Sequence, residues 1–352
     1  STYDTTLIAF NTDVRIDDAR NARLEGQLLH NAEAPILTLN AADLKLDADQ
    51  WALEAPATIV AGEKITVDRL HLRSTPRAGA EGQEILLEGQ LDMAGEQDAR
   101  FSITNLDVTT LSEIAGLRGL GGILNAEATL QGQAAAPRLD GVLNLDLLSF
   151  GERAGIIDMQ LDYDSLRLNV DASINDVENN SLIVTGYLPL DLRMATPDST
   201  TGGRAISQNL DRAGTGSIDI RSDSLVIGWL LPFIEPSLVN RLDGALKANF
   251  TVRGTAEAPQ LAGRGQLVNT VVRSPLVGVT YRDITANVLF EDNIITITEA
   301  STRTGDGSLD IFGEIVLEDL ANAQLDLIIR ANEFLAIDTR EFRSRASGIL
   351  DF

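Results

Sequence analysis

The 352-residue chain is 44% hydrophobic but only 5% aromatic, so any core it builds is aliphatic. Its 28 Lys and Arg face 52 Asp and Glu, a net charge of -24 that repels phosphate backbones and anionic headgroups, which argues against nucleic-acid binding and against membrane docking through a basic patch. There is no cysteine, which excludes disulfides and thiolate metal sites, and no apolar run reaches the roughly 18–20 residues a spanning helix needs.

Ser1–Asp4 carries no signal-peptide pattern, and the chain reads as the interior of a longer one. From there, period-two alternation dominates, placing one apolar face on a core and one polar face in water. Thr109 to Arg118 departs from it, with Leu111, Ile114, Ala115 and Leu117 at helical spacing and capping hydroxyls at its start. Alternation resumes at Leu143, Leu145 and Leu147, and again at Leu166, Leu168 and Val170. A polar stretch at Ala195 to Ala213 precedes Ile218 and Ile220. Ser224 to Leu242 is the second departure, where Pro232 and Pro236 split an apolar run into short helical turns. Its Trp229 and Phe233 are read as capping the apolar face, since no basic residues flank them closely as in a membrane-surface helix. Leu246, Ala248 and Phe250, then Ile284, Ala286 and Val288, and finally Leu325 and Leu327 complete the alternating runs. Turn residues punctuate them, as at Asp164-Ser165, Glu291–Asn293 and Gly305–Gly307.

The runs repeat. Gly122 to Gly141 aligns without a gap on Gly244 to Gly263, matching Gly, Leu, Ala, Thr, Gly, Ala, Pro, Leu and Gly in order. Gly186 and Gly313 head a second shared element, and Gly89 the same element one unit earlier. Gly348 to Phe352 resembles Gly244 to Phe250. The expected organisation is a partial β-repeat unit over 1–121 ending in a short helix, a unit over 122–243 with the polar insertion 195–213 and the helical segment 224–242, a third unit over 244–347, and the start of another at 348–352. Stacked units of this kind form an elongated, quasi-one-dimensional object. About 25 strands at ~4.8 Å would extend to roughly 100 Å.

Little chemistry is legible. His30 and His71 have no spaced partner and read as ordinary surface or edge residues. No Gly-x-Ser-x-Gly elbow and no dinucleotide-binding glycine loop occurs. Asp158, Asp162 and Asp164 lack the glycine of a calcium loop, and the other acids fall on the polar half of strands. The expectation is a protein that is not an enzyme and holds no cofactor or metal.

Trp51 to Ile59 followed by Ile65 to Arg73, the Gly-x-x-x-x-Pro-x-Leu-x-Gly element at Gly132 to Gly141 and Gly254 to Gly263, and the strand pair around Gly278 to Ile284 resemble recurring passages of TamB-like proteins, in the AsmA-like superfamily. The resemblance covers most of the chain from about residue 20. It implies an all-β fold with short helices, a repetitive, elongated, U-shaped antiparallel trough called a β-taco. It implies a periplasmic location in a diderm bacterium, with the parent protein anchored in the inner membrane by an N-terminal segment not found here. The implied activity is phospholipid transport between inner and outer membranes in outer-membrane biogenesis. A linked role is outer-membrane protein assembly with a TamA-like barrel, as a translocation and assembly module. The partners would be phospholipid acyl chains, lying against the aliphatic residues named above. A structural or adhesive repeat array with a dry core is the alternative, since lipid-lining and core-lining aliphatics look alike in sequence.

Overall fold

Alternating runs separated by short turns build hairpins, and here hairpin follows hairpin along the whole chain. The structure is a computed structural model that describes residues 6–15, 17–30, 34–47, 49–76, 81–114, 117, 119–149, 152–178, 180–194, 209–210, 214–255, 257–319 and 322–351. β1 (Thr6–Arg15), β2 (Arg20–His30) and β3 (Ile36–Leu46) open the sheet. β4 (Asp49–Leu53) and β5 (Ala57–Ala61) share one position between β3 and β6 (Lys64–Ser74). They are one strand interrupted before Ala57, where Pro56 has no N–H for the ladder. β7 (Glu84–Asp92) and β8 (Glu96–Asp107) lead to α1 (Thr109–Ile114). Next come β9 (Leu120–Gln133), β10 (Ala136–Ser149), β11 (Glu152–Asp164), β12 (Arg167–Asp176), β13 (Ser181–Asp191), the two-residue β14 (Asn209–Leu210), β15 (Gly216–Val226) and a 3-10 helix, Gly228–Phe233. β16 (Arg241–Gly254), β17 (Pro259–Ser274), β18 (Val279–Asp292), β19 (Ile294–Thr304), β20 (Gly307–Leu317), β21 (Ala323–Asp338) and β22 (Arg343–Asp351) complete the 22 strands among the described residues, somewhat fewer than the sequence suggests.

Every pairing is antiparallel, and nearly every one joins neighbours in sequence. Among the described residues β14 pairs with β13 alone, so β15 takes its place beside β13 and the meander continues to β22. The fold is therefore all-β and repetitive. Its exposed surface is 20734 Å², where a compact monomer of 37.8 kDa would show only ~14,000 Å². A sheet left largely open on both faces accounts for the excess.

The repeat has a structural period. Gly122, Gly244 and Gly348 lie on β9, β16 and β22, and the ladder between them runs β9, β10, β11, β12, β13, β15 and then β16, β17, β18, β19, β20, β21: six positions each time. Gly89, Gly186 and Gly313 lie on β7, β13 and β20, each two positions before the next such glycine strand. Their φ angles are +118°, +153° and +137°, and an added Cβ would come within 2.1, 2.0 and 2.1 Å of the carbonyl oxygens of Asp98, Ser217 and Asp326. No side chain fits there, which explains why glycine marks the repeat.

α1 spans Thr109–Ile114, and at its start the Asp107 carboxylate accepts from the Thr109 N–H at 2.9 Å; Ala115, Gly116 and Arg118 lie outside the described residues. In the Ser224 to Leu242 run, the first residues continue β15 and the last begin β16, leaving one 3-10 turn around Pro232. The missing proline N–H and the short apolar run between two strands leave no room for an α-helix. The polar stretch 195–213 lies outside the described residues apart from Asn209–Leu210.

α1 and the 3-10 helix connect strands at the same rim of the sheet, called here the helix rim. The tight turns at Ser165-Leu166 and Asn293 lie on the opposite, hairpin rim.

Candidate functional site: an apolar concave face

Residues directly opposed in an antiparallel ladder project to the same side, so the register traces each face across the sheet. One line runs Leu124, Leu145, Ile157, Ile174, Leu182 over β9 to β13. A second runs Val184, Ile220, Phe250, Gly263, Phe290, Ile295, Ile315, Leu325 over β13 to β21. A third starts at the first strand: Ile8, Leu28, Leu37, Ile59, Val67, Gly89, Ala99, Leu130, Leu139, Tyr163. All lie on one face, which is apolar from β1 to β22.

The other face is polar and laced with cross-strand bonds. Asn144 donates to Asp158 at 2.7 Å, Asn169 to Asp162 at 2.9 Å, Arg100 to Glu127 at 2.7 Å, and Thr251 to Asp219 at 2.6 Å. These pairs, most of them exposed, each add little stability, but they keep the acids on the solvated side. His71 sits on this face too. It is only 8% exposed, with Nε2 3.2 Å from Glu84 and Nδ1 against Glu54, which corrects its reading as an ordinary surface residue. Arg73 completes the group, and its hydrogen bond holds the Glu84 carboxyl below the usual carboxylate range. His30 is exposed. Among the described residues, no group of three or more His, Asp or Glu is arranged to hold a metal ion.

Over β16 to β21 the apolar face is concave. Phe250 and Phe290, two strands apart, stack at 4.6 Å over Gly263, which lies between them in register. Without the glycine the rings could not close the gap. Tyr281 of β18 and Phe334 of β21 stack at 5.8 Å although β19 and β20 intervene in the ladder, and burial raises the Tyr281 phenol. Two side chains separated by two whole strands meet only where the sheet curls toward the side they occupy. β-bulges supply the bend, as at Ile103/Leu106, Ser222/Leu225 and Ala331/Phe334.

Of the residues expected to line a groove, Leu143, Leu145, Leu147, Leu168, Val170, Ile218, Ile220, Leu246, Ala248, Phe250, Ile284, Ala286, Val288, Leu325 and Leu327 all project to this face. Most are part-exposed; Leu147 and Ala248 are buried. Leu166 does not belong to the set. It and Ser165 are the two central residues of the β11–β12 hairpin turn, with φ of +65° and +53°, and Leu166 points into solvent. A two-residue turn of this hand requires positive φ at both positions, so the alternating run begins one step later. The sequence reading missed Ile157, Met159, Leu161 and Tyr163 of β11, although they alternate with Asp158, Gln160 and Asp162 in the same way. It also missed Leu106, Leu225 and Phe334, which reach this face only because a bulge shifts the phase.

No protein-family model matches the chain, and no curated relative does.

Part of the groove is covered. After β13 the chain turns back over the hairpin rim, where the Leu192 N–H donates to the Tyr163 hydroxyl at 3.0 Å and the Met194 N–H to the Ala134 carbonyl at 2.9 Å. A two-pronged bond from Arg193 to Asp191 fixes this strap and lowers the Asp191 carboxyl. At the helix rim the 3-10 helix packs on β16 and reaches β10. Near it Leu147 and Leu225 of the apolar face are 2% and 1% exposed; Trp229 is part-buried, but Phe233 is 51% exposed, which corrects its reading as part of a cap. Asp176 anchors this end. Burial pushes its carboxyl up, but N–H groups of Val226, Asn180 and Glu178 and the Asn180 side chain hold it below the usual range. Among the described residues, no helix is long and apolar enough to cross a membrane.

Chemically, this surface offers dispersion and exclusion of water along a line of strands, with polar groups on the reverse side.

Proposed function

We propose that the concave face is a conduit for phospholipid acyl chains, and that the chain acts without chemistry of its own. The observation that carries this reading is the continuity of an apolar face whose side chains are mostly only half-buried. Such a face is costly in water unless something apolar covers it. About 20 ladder positions at ~4.8 Å would give a path of very roughly 100 Å, with headgroups left in the open seam. On this reading the cross-section is a U, the β-taco implied by the resemblance to TamB-like proteins. The parent protein would then sit in the periplasm of a diderm bacterium, anchored in the inner membrane, and pass phospholipid toward the outer membrane. Work with a TamA-like barrel in outer-membrane protein assembly follows from the same resemblance.

The second reading is a structural array with a dry core. The burial of Leu147, Leu225 and Tyr163 near the strap and the 3-10 helix favours it for that stretch. Lipid extraction from the purified chain, followed by mass spectrometry, separates the two: the conduit carries copurifying phospholipid. In cells, Leu145→Arg or Val288→Asp in the full-length parent should compromise the outer membrane while the chain still folds. The outward controls Asn144→Arg and Asn287→Asp should not. A lipid-free wild type whose inner-face variants fail to fold would replace the conduit with the array.

A further inference from the structure

The two rims differ over β16 to β22. On the hairpin rim, the strand connections carry polar residues such as Asn293 and Glu318. On the helix rim, the loops carry large exposed apolar side chains: Phe233 at 51%, Leu238 at 48%, Leu276 at 64% and Phe342 at 58%. Main-chain bonds stitch these loops into one surface. The Leu276 N–H donates to the Ser237 carbonyl at 3.0 Å, the Asp338 N–H to the Val277 carbonyl at 2.8 Å, and the Thr339 N–H to the Phe342 carbonyl at 2.9 Å. The tips are therefore held outward by an ordered backbone.

Arginines stand beside them in an arrangement a free sheet disfavours. Arg241 is directly opposite Arg273 across β16 and β17, and Arg282 is directly opposite Arg303 across β18 and β19. Like charges in register repel. Asp243 bonds Arg241, whereas Arg273, Arg282 and Arg303 have no ion pair among the described residues. All four are exposed, and the Leu276 turn joins the strand of Arg273 to that of Arg282. Acids stand among them, at Glu235, Asp243, Asp283, Asp306, Asp338 and Glu341, so the rim is mixed in sign while the chain as a whole carries -24.

We propose that the helix rim of β16 to β22 docks on a bilayer surface containing anionic phospholipid, with Phe233, Leu238, Leu276 and Phe342 entering the headgroup region and the opposed arginine pairs straddling lipid phosphates. Phosphate between two guanidinium groups removes the repulsion that the free sheet carries. Separate apolar tips flanked by arginine suit a fluid interface, which needs no matching pockets. The overall negative charge does not forbid contact, because at physiological salt screening over ~8 Å leaves the unpaired arginines that meet the phosphates to decide. This surface does not depend on whether the groove carries lipid.

Flotation with vesicles of phosphatidylglycerol in phosphatidylcholine, and with vesicles of phosphatidylcholine alone, tests it. The wild-type chain should float with the anionic vesicles, more weakly as salt rises, and poorly with phosphatidylcholine. Replacing Arg273, Arg282 and Arg303 together by Ser should weaken binding roughly 100-fold, at about five-fold per arginine. Because this change relieves repulsion, its thermal melt should not fall. Leu276→Ser with Phe342→Ser should weaken binding at low and high salt alike, and Leu166→Ser on the opposite rim should leave it unchanged. Failure of the wild type to float with anionic vesicles overturns the proposal. So does equal binding to phosphatidylcholine alone, undiminished binding by both sets of folded variants, or capture by an acidic protein with no vesicle binding.

Discussion

The strands from β9 to β15 and those from β16 to β21 follow the same six-position plan but treat their apolar face differently. In the first set the strap at Leu192–Met194 crosses one rim and the 3-10 helix lies at the other, and Tyr163, Leu147 and Leu225 are almost fully buried. In the second no such cover is present among the described residues, and Phe250 stacks on Phe290 in the open groove. The repeat therefore builds the sheet and sorts its faces, while the connections between strands decide how much of the apolar face is closed. Tolerance to a given substitution should follow the connections.

The largest expected effect is common to both sets. Gly186→Val and Gly313→Val each force a Cβ into a carbonyl oxygen at positive φ, and each should cost about 3 kcal/mol or more and broaden the thermal melt. A variant of either that melts like the wild type would break the idea of a shared plan. Next, Leu147→Arg should cost about 4 kcal/mol, since its charge has no route to water at that buried site, whereas Val288→Arg in the open set should cost about 1 kcal/mol as the side chain reaches the seam. Equal losses on chemical denaturation would erase the distinction. Asp176→Asn should cost about 1–2 kcal/mol by weakening its bonds to Val226, Asn180 and Glu178. Because its carboxyl titrates below the usual ~3.9, its contribution is complete above that value and is lost as the pH falls through it toward the lower folded value. Melts recorded down this acid range should converge for wild type and variant. Smallest, Tyr163→Phe removes the acceptor for the Leu192 N–H and should cost about 1 kcal/mol, with faster amide exchange confined to the strap.

The sheet and the sidedness of its residues were legible because alternation is a local property. Leu143, Leu145 and Leu147 announce their face without reference to anything distant. What was hidden depends on single residues that break the phase or on contacts far apart in sequence. The bulge between Ser222 and Leu225 turns Leu225 inward, and alternation counted through it gives the opposite face. The Leu166 turn looks like the start of a strand until its positive φ is known. His71 seemed isolated because Glu54 and Glu84, which enclose it, belong to other strands or connections. The arginines at 241, 273, 282 and 303 are dispersed in a strongly acidic sequence, and only the ladder register sets them opposite one another.

The six-strand period has one further consequence, which concerns parity. A meander reverses direction at every strand, so an even count returns the chain to the rim from which it set out. β9, β16 and β22 all leave the helix rim in the same sense, with the same face inward. Duplicating or deleting one whole unit thus changes the length by ~29 Å and leaves the cross-section, the handedness of each rim and the inward face unchanged. An odd count would exchange the two rims at every joint. A gene that grows by copying such a unit can adjust the reach of its product in even steps, without redesigning any surface.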